Sequence, residues 1–392
     1  MKKLNIGLYG FGVVGQGLYT VLQKSKTVDA TLSAICVRDK NKKREIESPL
    51  LTFDRQKILN DPAVNVVVEL IDDADDAYHL VKEALKKGKN VVSGNKKMLA
   101  AHLEELINLQ EETGKSLLYD ASACGSIPII RNLEEYYDND LLKSITGILN
   151  GSSNYILTQI FQEDKDYATA LKEAQALGFA ESNPDFDVQG YDALYKLVII
   201  TAHAFGTIVP HGDIFRFGIN KINNFDVRFA KEKGLKIKLV AKVMKTENGN
   251  ISLFVAPQFV SKENYIYNVE EEYNGVVIEG EFYDKQFMFG KGAGAFPTGS
   301  AVLSDITAIS YQYKYEYKKQ KFFTPPVHTQ DILLPVYLRY DHEKDLQLFD
   351  FEEITEKYEG SGTHYITGKI LLKNLLKING ELGNLPVFVG IL

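Results

Sequence analysis

Short apolar runs bounded by turn residues recur along the first third of the chain. Residues 4–9 (LNIGLY), 32–37, 64–70 (VNVVVEL), 90–94 (NVVSG) and 116–121 (SLLYDA) each read as a buried strand. Helical periods lie between them. One runs from Val14 to about Lys24, and another, AYHLVKEALKKG at 77–88, ends on glycine. This alternation predicts a doubly wound parallel sheet of the α/β class.

The pattern changes after about Pro128, where helical periods dominate to about Gly206. From Leu235 the chain turns to strands: KIKLVAKV alternates, and ENGN at 247–250 offers an Asn-Gly hairpin turn, with a second Asn-Gly pair at 274–275. Long antiparallel strands of this kind can form a sheet that also builds a dimer interface, so a homodimer or higher homo-oligomer is expected. Residues 290–306 (GKGAGAFPTGSAVLSDI) are a glycine-rich loop leading into an apolar helix. The tyrosine-lysine run at 311–321 has period two, which suits a solvated strand and linker better than a basic aromatic binding ribbon. Thr324, Pro325 and Pro326 mark a boundary, beyond which residues 330–392 read as a small α+β unit. The expected domains are therefore 1–128 with about 292–315, then 129–291, then 325–392.

A chain of 392 residues is too long for one ordinary core, which agrees with that division. Its composition, 45% hydrophobic and 25% charged, is that of a globular protein. The net charge of −7 and scattered basic residues argue against nucleic acid or an acidic membrane as partner, so the expected partner is a small molecule. Cys36 and Cys124 cannot make a disulfide framework, which suits a reducing cytoplasm. The N-terminus lacks the pattern of a signal peptide, and no apolar segment is long enough to cross a bilayer.

Gly10, Phe11, Gly12, Val13, Val14 and Gly15 spell G-x-G-x-x-G between a strand and a helix. Such glycines permit a tight turn and let backbone N–H groups approach a pyrophosphate, so the sheet is expected to be Rossmann-type and to bind a dinucleotide. At the end of the second strand stand Arg38, Asp39 and Lys40. Arg38 suits a 2′-phosphate, which favours NADP, while Asp39 keeps NAD possible. Lys96, after Ser93, Gly94 and Asn95, falls at a strand's carboxyl end, where it could meet a carboxylate or polarise a carbonyl. The loop from Asp120 to Pro128 admits two readings: Cys124 as a nucleophile, or a cation loop built on carbonyls and Asp120. The seven histidines show no metal-ligand spacing and read as structural.

The densest chemistry lies at 177–203, LGFAESNPDFDVQGYDALYKLVIITAH. Asp192 and Lys196, four residues apart, share one face of a helix whose following residues are almost wholly apolar. A lysine at the start of a buried helix faces the positive end of the dipole and loses water, which suits proton exchange. Glu181, Asp185 and Asp187 complete the acidic set.

These residues resemble homoserine dehydrogenases. The segments carrying the resemblance are GFGVVG at 10–15, SGNKK at 93–97, GSIPII at 125–130, GILNGSSNYILT at 147–158, LGFAESNPDFDVQGYDALYK at 177–196 and the 290–306 segment. The resemblance implies reversible reduction of L-aspartate 4-semialdehyde to L-homoserine by NAD(P)H. It places the acid/base at Lys196, with Lys96 beside the reacting group, and leaves open which lysine donates the proton. Glu181 and Asp192 match substrate-holding carboxylates, with Asp187 beside them. Gly178, Gly292 and Gly294 match backbone lining cofactor or substrate. A monovalent cation such as Na+ would lie at Asp120, Ala123, Gly125 and Ile127, largely on backbone oxygens. The family usually has Glu at Asp120, Gly at Cys124 and Ala or Pro at Gly94. The C-terminal unit resembles a shortened ACT domain without its usual acidic-Pro-Gly turn. The alternatives are an acylating aldehyde dehydrogenase using Cys124 and a dinucleotide-sensing binding protein.

Overall fold

The computed structural model describes residues 3–40, 49–360 and 362–392. The chain divides into two compact units, Met1–Asp138 with Lys291–Lys321, and Asn139–Gly290 with Phe322–Leu392.

The first unit is built on a parallel sheet of β1 (Leu4–Tyr9), β2 (Ala30–Cys36), β3 (Leu51–Thr52), β4 (Val66–Glu69), β5 (Asn90–Ser93) and β6 (Leu117–Leu118). The strand order is β3-β2-β1-β4-β5-β6. Its central strands are apolar on both faces because helices cover both: Ile6, Leu8, Val66, Val67, Val68, Val91 and Val92 are all buried. The chain winds one way from β1 and the other way from β4, so the crevice for a ligand opens at their carboxyl ends. The expected α/β class and Rossmann-type order are thus the observed ones.

Residues 291–321 join this unit through a close helix pair. A Cβ at Gly17, on helix Val13–Lys24, would stand 1.9 Å from the carbonyl oxygen of Ala295, and one at Gly299 would stand 2.6 Å from the Leu18 nitrogen. Only glycines allow helices to approach this far. The 311–321 run departs from the expected solvated strand. Tyr315, Tyr317 and Lys319 are buried, Tyr317 shares a 2.8 Å hydrogen bond with the Tyr119 hydroxyl, and Gln110 donates to the Tyr315 carbonyl. The period of two is real, but it alternates tyrosines into the unit's interior without pairing to a sheet.

The second unit carries a ten-stranded sheet. Its strands are β7 (Leu142–Ile148), β8 (Phe215–Arg216), β9 (Lys236–Lys245), β10 (Ile251–Val260), β11 (Tyr273–Gly280), β12 (Asp284–Lys291), β13 (Leu333–Tyr340), β14 (Phe351–Glu359), β15 (His364–Leu371) and β16 (Phe388–Ile391). The order is β12-β11-β7-β9-β10-β16-β13-β15-β14, with β8 pairing β10. The 247–250 turn joins β9 to β10, with Gly249 at φ +78°. Asn274 and Gly275 do not turn: Gly275 pairs with Ile148 inside the ladder, because partners on both flanks hold β11 extended. Strands from residues 333–391 continue this sheet through the Gln258–Ile391 pair, where the sequence suggested a separate small unit. Arg339 on β13 grips Asp226 on the helix Asn224–Glu232, its Nε 2.9 and 3.1 Å from the two carboxylate oxygens.

Candidate active site

The glycine loop of the first unit is shaped by contact. Gly10 sits at φ +90°, and a Cβ there would lie 2.2 Å from the Leu70 carbonyl oxygen, while one at Gly15 would lie 2.5 Å from the Gly10 oxygen. Gly12 differs: nothing stands within 4 Å of its Cβ position. It is also the N-cap of the helix Val13–Lys24 and offers no side-chain cap to the first-turn N–H groups. Val13 is exposed beside it and Val14 is half-buried. Open space in front of an uncapped helix start fits the approach of a pyrophosphate. Arg38 is exposed just beyond the end of β2, next to exposed Asp39 and Lys40.

A buried network occupies the carboxyl ends of β4 and β5. Glu69, wholly buried, accepts from the Ile71 N–H at 2.7 Å and from the Ser93 hydroxyl at 2.5 Å. The Ser93 oxygen accepts in turn from the Asn95 N–H, and Asn95 caps the helix Lys96–Thr113 through the Met98 N–H. Lys96 is thus the first residue of a capped helix, half-buried, with Lys97 exposed after it. Burial pushes the Glu69 carboxyl up to about 7 against the Ser93 and Ile71 hydrogen bonds, which pull it down. The unfolded carboxyl titrates near its ordinary value, about 4.3. Stability from this group is therefore full below that value and is lost as pH rises through about 7. Glu69→Gln should accordingly show a flatter fall of melting temperature from pH 6 to pH 8 than the parent. Parallel curves would show that Glu69 does not titrate there.

In the 120–127 loop, Asp120 Oδ1 accepts from the Ile130 and Arg131 N–H groups, capping the following helix. Its own N–H donates to Asp305, whose carboxylate also pairs with Arg131 at 2.8 Å. Burial and the nearby Asp120 push the Asp305 carboxyl well above its ordinary range, against the pull of Arg131. Gly125, at φ +55°, packs on the Gly292 backbone, and the Ser126 N–H donates to the Lys291 carbonyl. Ala123, Ile127 and Cys124 are buried. Gly294, at φ +117°, begins the helix Ala295–Ser310 with no side-chain cap.

The second unit gathers Lys196, Asp192 and Asp187. The helix Tyr191–Phe205 is buried around its whole circumference, which explains its apolar run. Lys196 Nζ lies 2.7 Å from Asp192 Oδ2 and donates to the Leu149 carbonyl at 2.6 Å. Asn150 Nδ2 bridges Asp192 (2.9 Å) and Asp187 (2.8 Å), while its Oδ1 caps the helix Gly151–Gln162 at the Ser153 N–H. Asn274 adds a second donor to the Leu149 carbonyl. Burial, then the charge of Asp192, raises the Asp187 carboxyl above its ordinary range. Lys196 thus meets the Asp192 carboxylate that the i, i+4 spacing pointed to and, in addition, the Leu149 carbonyl, which the spacing did not show. Glu181 and Asp185 are exposed, and Gly178, at φ +77°, has nothing within 4 Å of its Cβ position.

The family model for homoserine dehydrogenase matches residues 128–307, and that for the homoserine dehydrogenase NAD-binding domain matches residues 10–120. A homoserine dehydrogenase of Bacillus subtilis is 32% identical over 379 residues, covering 93% of this chain and 87% of that protein. The chain belongs to the homoserine dehydrogenase family. One from Neisseria gonorrhoeae is 37% identical over 318 residues, 79% of this chain and 73% of that protein. Among solved structures, the homoserine dehydrogenase of Thiobacillus denitrificans aligns with a TM-score of 0.86 at 29% identity, over 100% of this chain and 98% of that one. A hyperthermophilic archaeal homoserine dehydrogenase in complex with NADPH aligns at 0.69 and 27%, over 80% and 99%. The protein is a homoserine dehydrogenase family oxidoreductase that uses a nicotinamide dinucleotide and acts on a CH–OH group.

That membership also orders the residues sequence reasoning passed over. Asn150, Asn274, Glu69, Arg131 and Asp305 shape these clusters, yet none was read from the sequence as a site residue. Asn150 and Asn274 look like ordinary turn residues in sequence, and only the fold brings them to Asp192 and to the Leu149 carbonyl that Lys196 also meets. The alternative with Cys124 as nucleophile finds no support, since that thiol is fully buried. Among the described residues, no group of three or more metal-ligating side chains occurs and no helix is long and apolar enough to cross a membrane.

Proposed function

We propose a division of labour for the reversible reduction of L-aspartate 4-semialdehyde to L-homoserine. Lys196 exchanges the proton of the substrate oxygen, and Lys96 orients the reacting group. Glu181, Asp187 and Asp192 hold the substrate's amino end. The observation that carries this reading is the buried Lys196–Asp192 pair, tied to the Leu149 carbonyl and Asn150. A buried ion pair contributes little net stability over apolar residues of similar volume, so the fold alone gives weak reason to keep it. A lysine held by a carboxylate and a carbonyl is a well-positioned acid/base.

When bound, the nicotinamide supplies a hydride acceptor for the alcohol carbon or a donor for the aldehyde. Gly10, Gly12, Val13, Val14 and Gly15 would hold the pyrophosphate at the helix start, supported by the open space before Gly12. Gly178, Gly292 and Gly294 would line cofactor or substrate with backbone. Arg38, exposed beyond β2, would take a 2′-phosphate and favour NADP over NAD. Steady-state oxidation of homoserine with NAD and NADP in parallel tests this. Arg38→Ala should raise KM for NADP about tenfold or more, the worth of a charge-assisted hydrogen bond, and leave that for NAD nearly unchanged. Equal KM changes for both cofactors would reject the assignment.

The 120–127 loop offers mainly backbone oxygens, which suit a monovalent better than a divalent cation. Ala123, Gly125 and Ile127 would hold it, since Asp120 Oδ1 already caps a helix. A homodimer through the second unit's sheet is supported by the exposed Phe287 and Phe289 on its outer strand β12.

A further inference from the structure

The carboxyl edge of the first unit's sheet holds an ionisable group that the reaction scheme does not use. Glu69 ends β4, the strand beside the switch point, and is wholly buried. Each oxygen has its own donor: the Ile71 N–H at 2.7 Å and the Ser93 hydroxyl at 2.5 Å. The links continue without a gap. The Ser93 oxygen accepts from the Asn95 N–H at 3.1 Å, and Asn95 Nδ2 donates back to the Ile71 carbonyl at 3.1 Å. The Gly94 N–H donates to the Glu69 carbonyl at 3.0 Å. A closed ring of Glu69, Ile71, Asn95 and Ser93 therefore fixes two strand-end loops against each other. The Leu70 carbonyl, between Glu69 and Ile71, is the wall against which Gly10 packs. Lys96 follows Asn95 as the first residue of its helix.

A buried carboxyl is costly to keep where an apolar residue would fill the same space. Ionised, as it is above about pH 7, it supplies two acceptors at one point, which no neutral side chain of that size provides. We propose that Glu69 is a positioning residue for the dehydrogenase reaction, acting through Ser93 and Asn95 to set the turn that presents Lys96. This rests on the reading of Lys96 as the residue that orients the reacting group. Gln at position 69 keeps the shape but has one acceptor oxygen, so either the Ile71 N–H or the Ser93 hydroxyl proton loses its acceptor.

A double-mutant cycle on kcat with homoserine and saturating cofactor separates the possibilities. Glu69→Gln should lower kcat roughly tenfold, the scale of a sub-ångström misplacement. In the Lys96→Ala background the same change should cost less than about twofold, because its effect passes through the lysine. If the two losses multiply, or if Glu69→Gln lowers only the melting temperature, the positioning role is overturned while the reading of Lys96 stands. A normal kcat in Lys96→Ala alone would overturn the reading of Lys96 and the inference with it. Should Glu69→Gln fail to fold, Ser93→Ala removes only the hydroxyl joining Glu69 to Asn95, and the same cycle is read with it.

Discussion

Lys196→Ala is expected to lower kcat for homoserine oxidation by about 10²–10⁴, the usual contribution of a positioned acid/base. Cofactor affinity should be unchanged, because the groups proposed to hold the dinucleotide's pyrophosphate and 2′-phosphate belong to the first unit. Lys196→Arg sharpens the test. Arginine keeps a positive charge for Asp192 and the Leu149 carbonyl, but its guanidinium does not give up a proton in a protein. If Lys196 exchanges a proton, the arginine variant should be nearly as slow as the alanine one. If Lys196 only holds charge, arginine should restore much of the rate. Titration of bound NADPH by its fluorescence gives the affinities, and single-turnover measurements give the chemical step. Near-normal turnover in Lys196→Ala would move the proton-exchange role to Lys96.

Arg339→Ala should destabilise the second unit by about 3–5 kcal/mol, the cost of leaving one member of a buried pair without its partner. Asp226 is wholly buried and receives Arg339 Nε on both oxygens, together with the Tyr337 hydroxyl and the Asn223 N–H. Burial pushes its carboxyl up to about 6, with Arg339 foremost among the groups that hold it down. Removing the guanidinium raises it further. The loss should therefore be largest near pH 8 and shrink as pH falls through about 6, where the carboxyl takes up a proton. Urea unfolding at pH 5.5 and pH 8 would show the trend. Adding Asp226→Asn to the variant should recover part of the loss at pH 8. An equal loss at both values of pH would mean that the carboxyl stays charged, or that the contribution of Arg339 is packing alone.

Legibility in the sequence followed the range of the interaction concerned. The strands of the parallel sheet announced themselves because residues such as Val66, Val67 and Val68 are apolar on both faces. The glycine loop was legible because a tight turn before a helix needs Gly10 and Gly15 within six residues. The Asp192–Lys196 pair was legible because i and i+4 meet on any helix. Asn274–Gly275 misled, since the dipeptide favours a turn in isolation but is overruled by ladders on both flanks. The tyrosine run at 311–321 misled for a related reason. Period two signals a strand only where a neighbour supplies hydrogen bonds, and here the run instead lines the interior beside Tyr119.

By itself, the sequence determined what local physics can encode: the elements, the dinucleotide turn, the acidic helix start and, through its motifs, the family. Tertiary structure decided which groups meet. The Leu149 carbonyl reaches Lys196, and Asn150 reaches Asp192, each across more than forty residues, and Asn274 reaches the Leu149 carbonyl across more than a hundred. Ser93 reaches Glu69 across twenty-four. Asp226 and Arg339 are joined across more than a hundred. No helical or strand period carries such distances. A hydrogen bond depends on the position of two atoms to within a fraction of an ångström, and only the packed chain sets that.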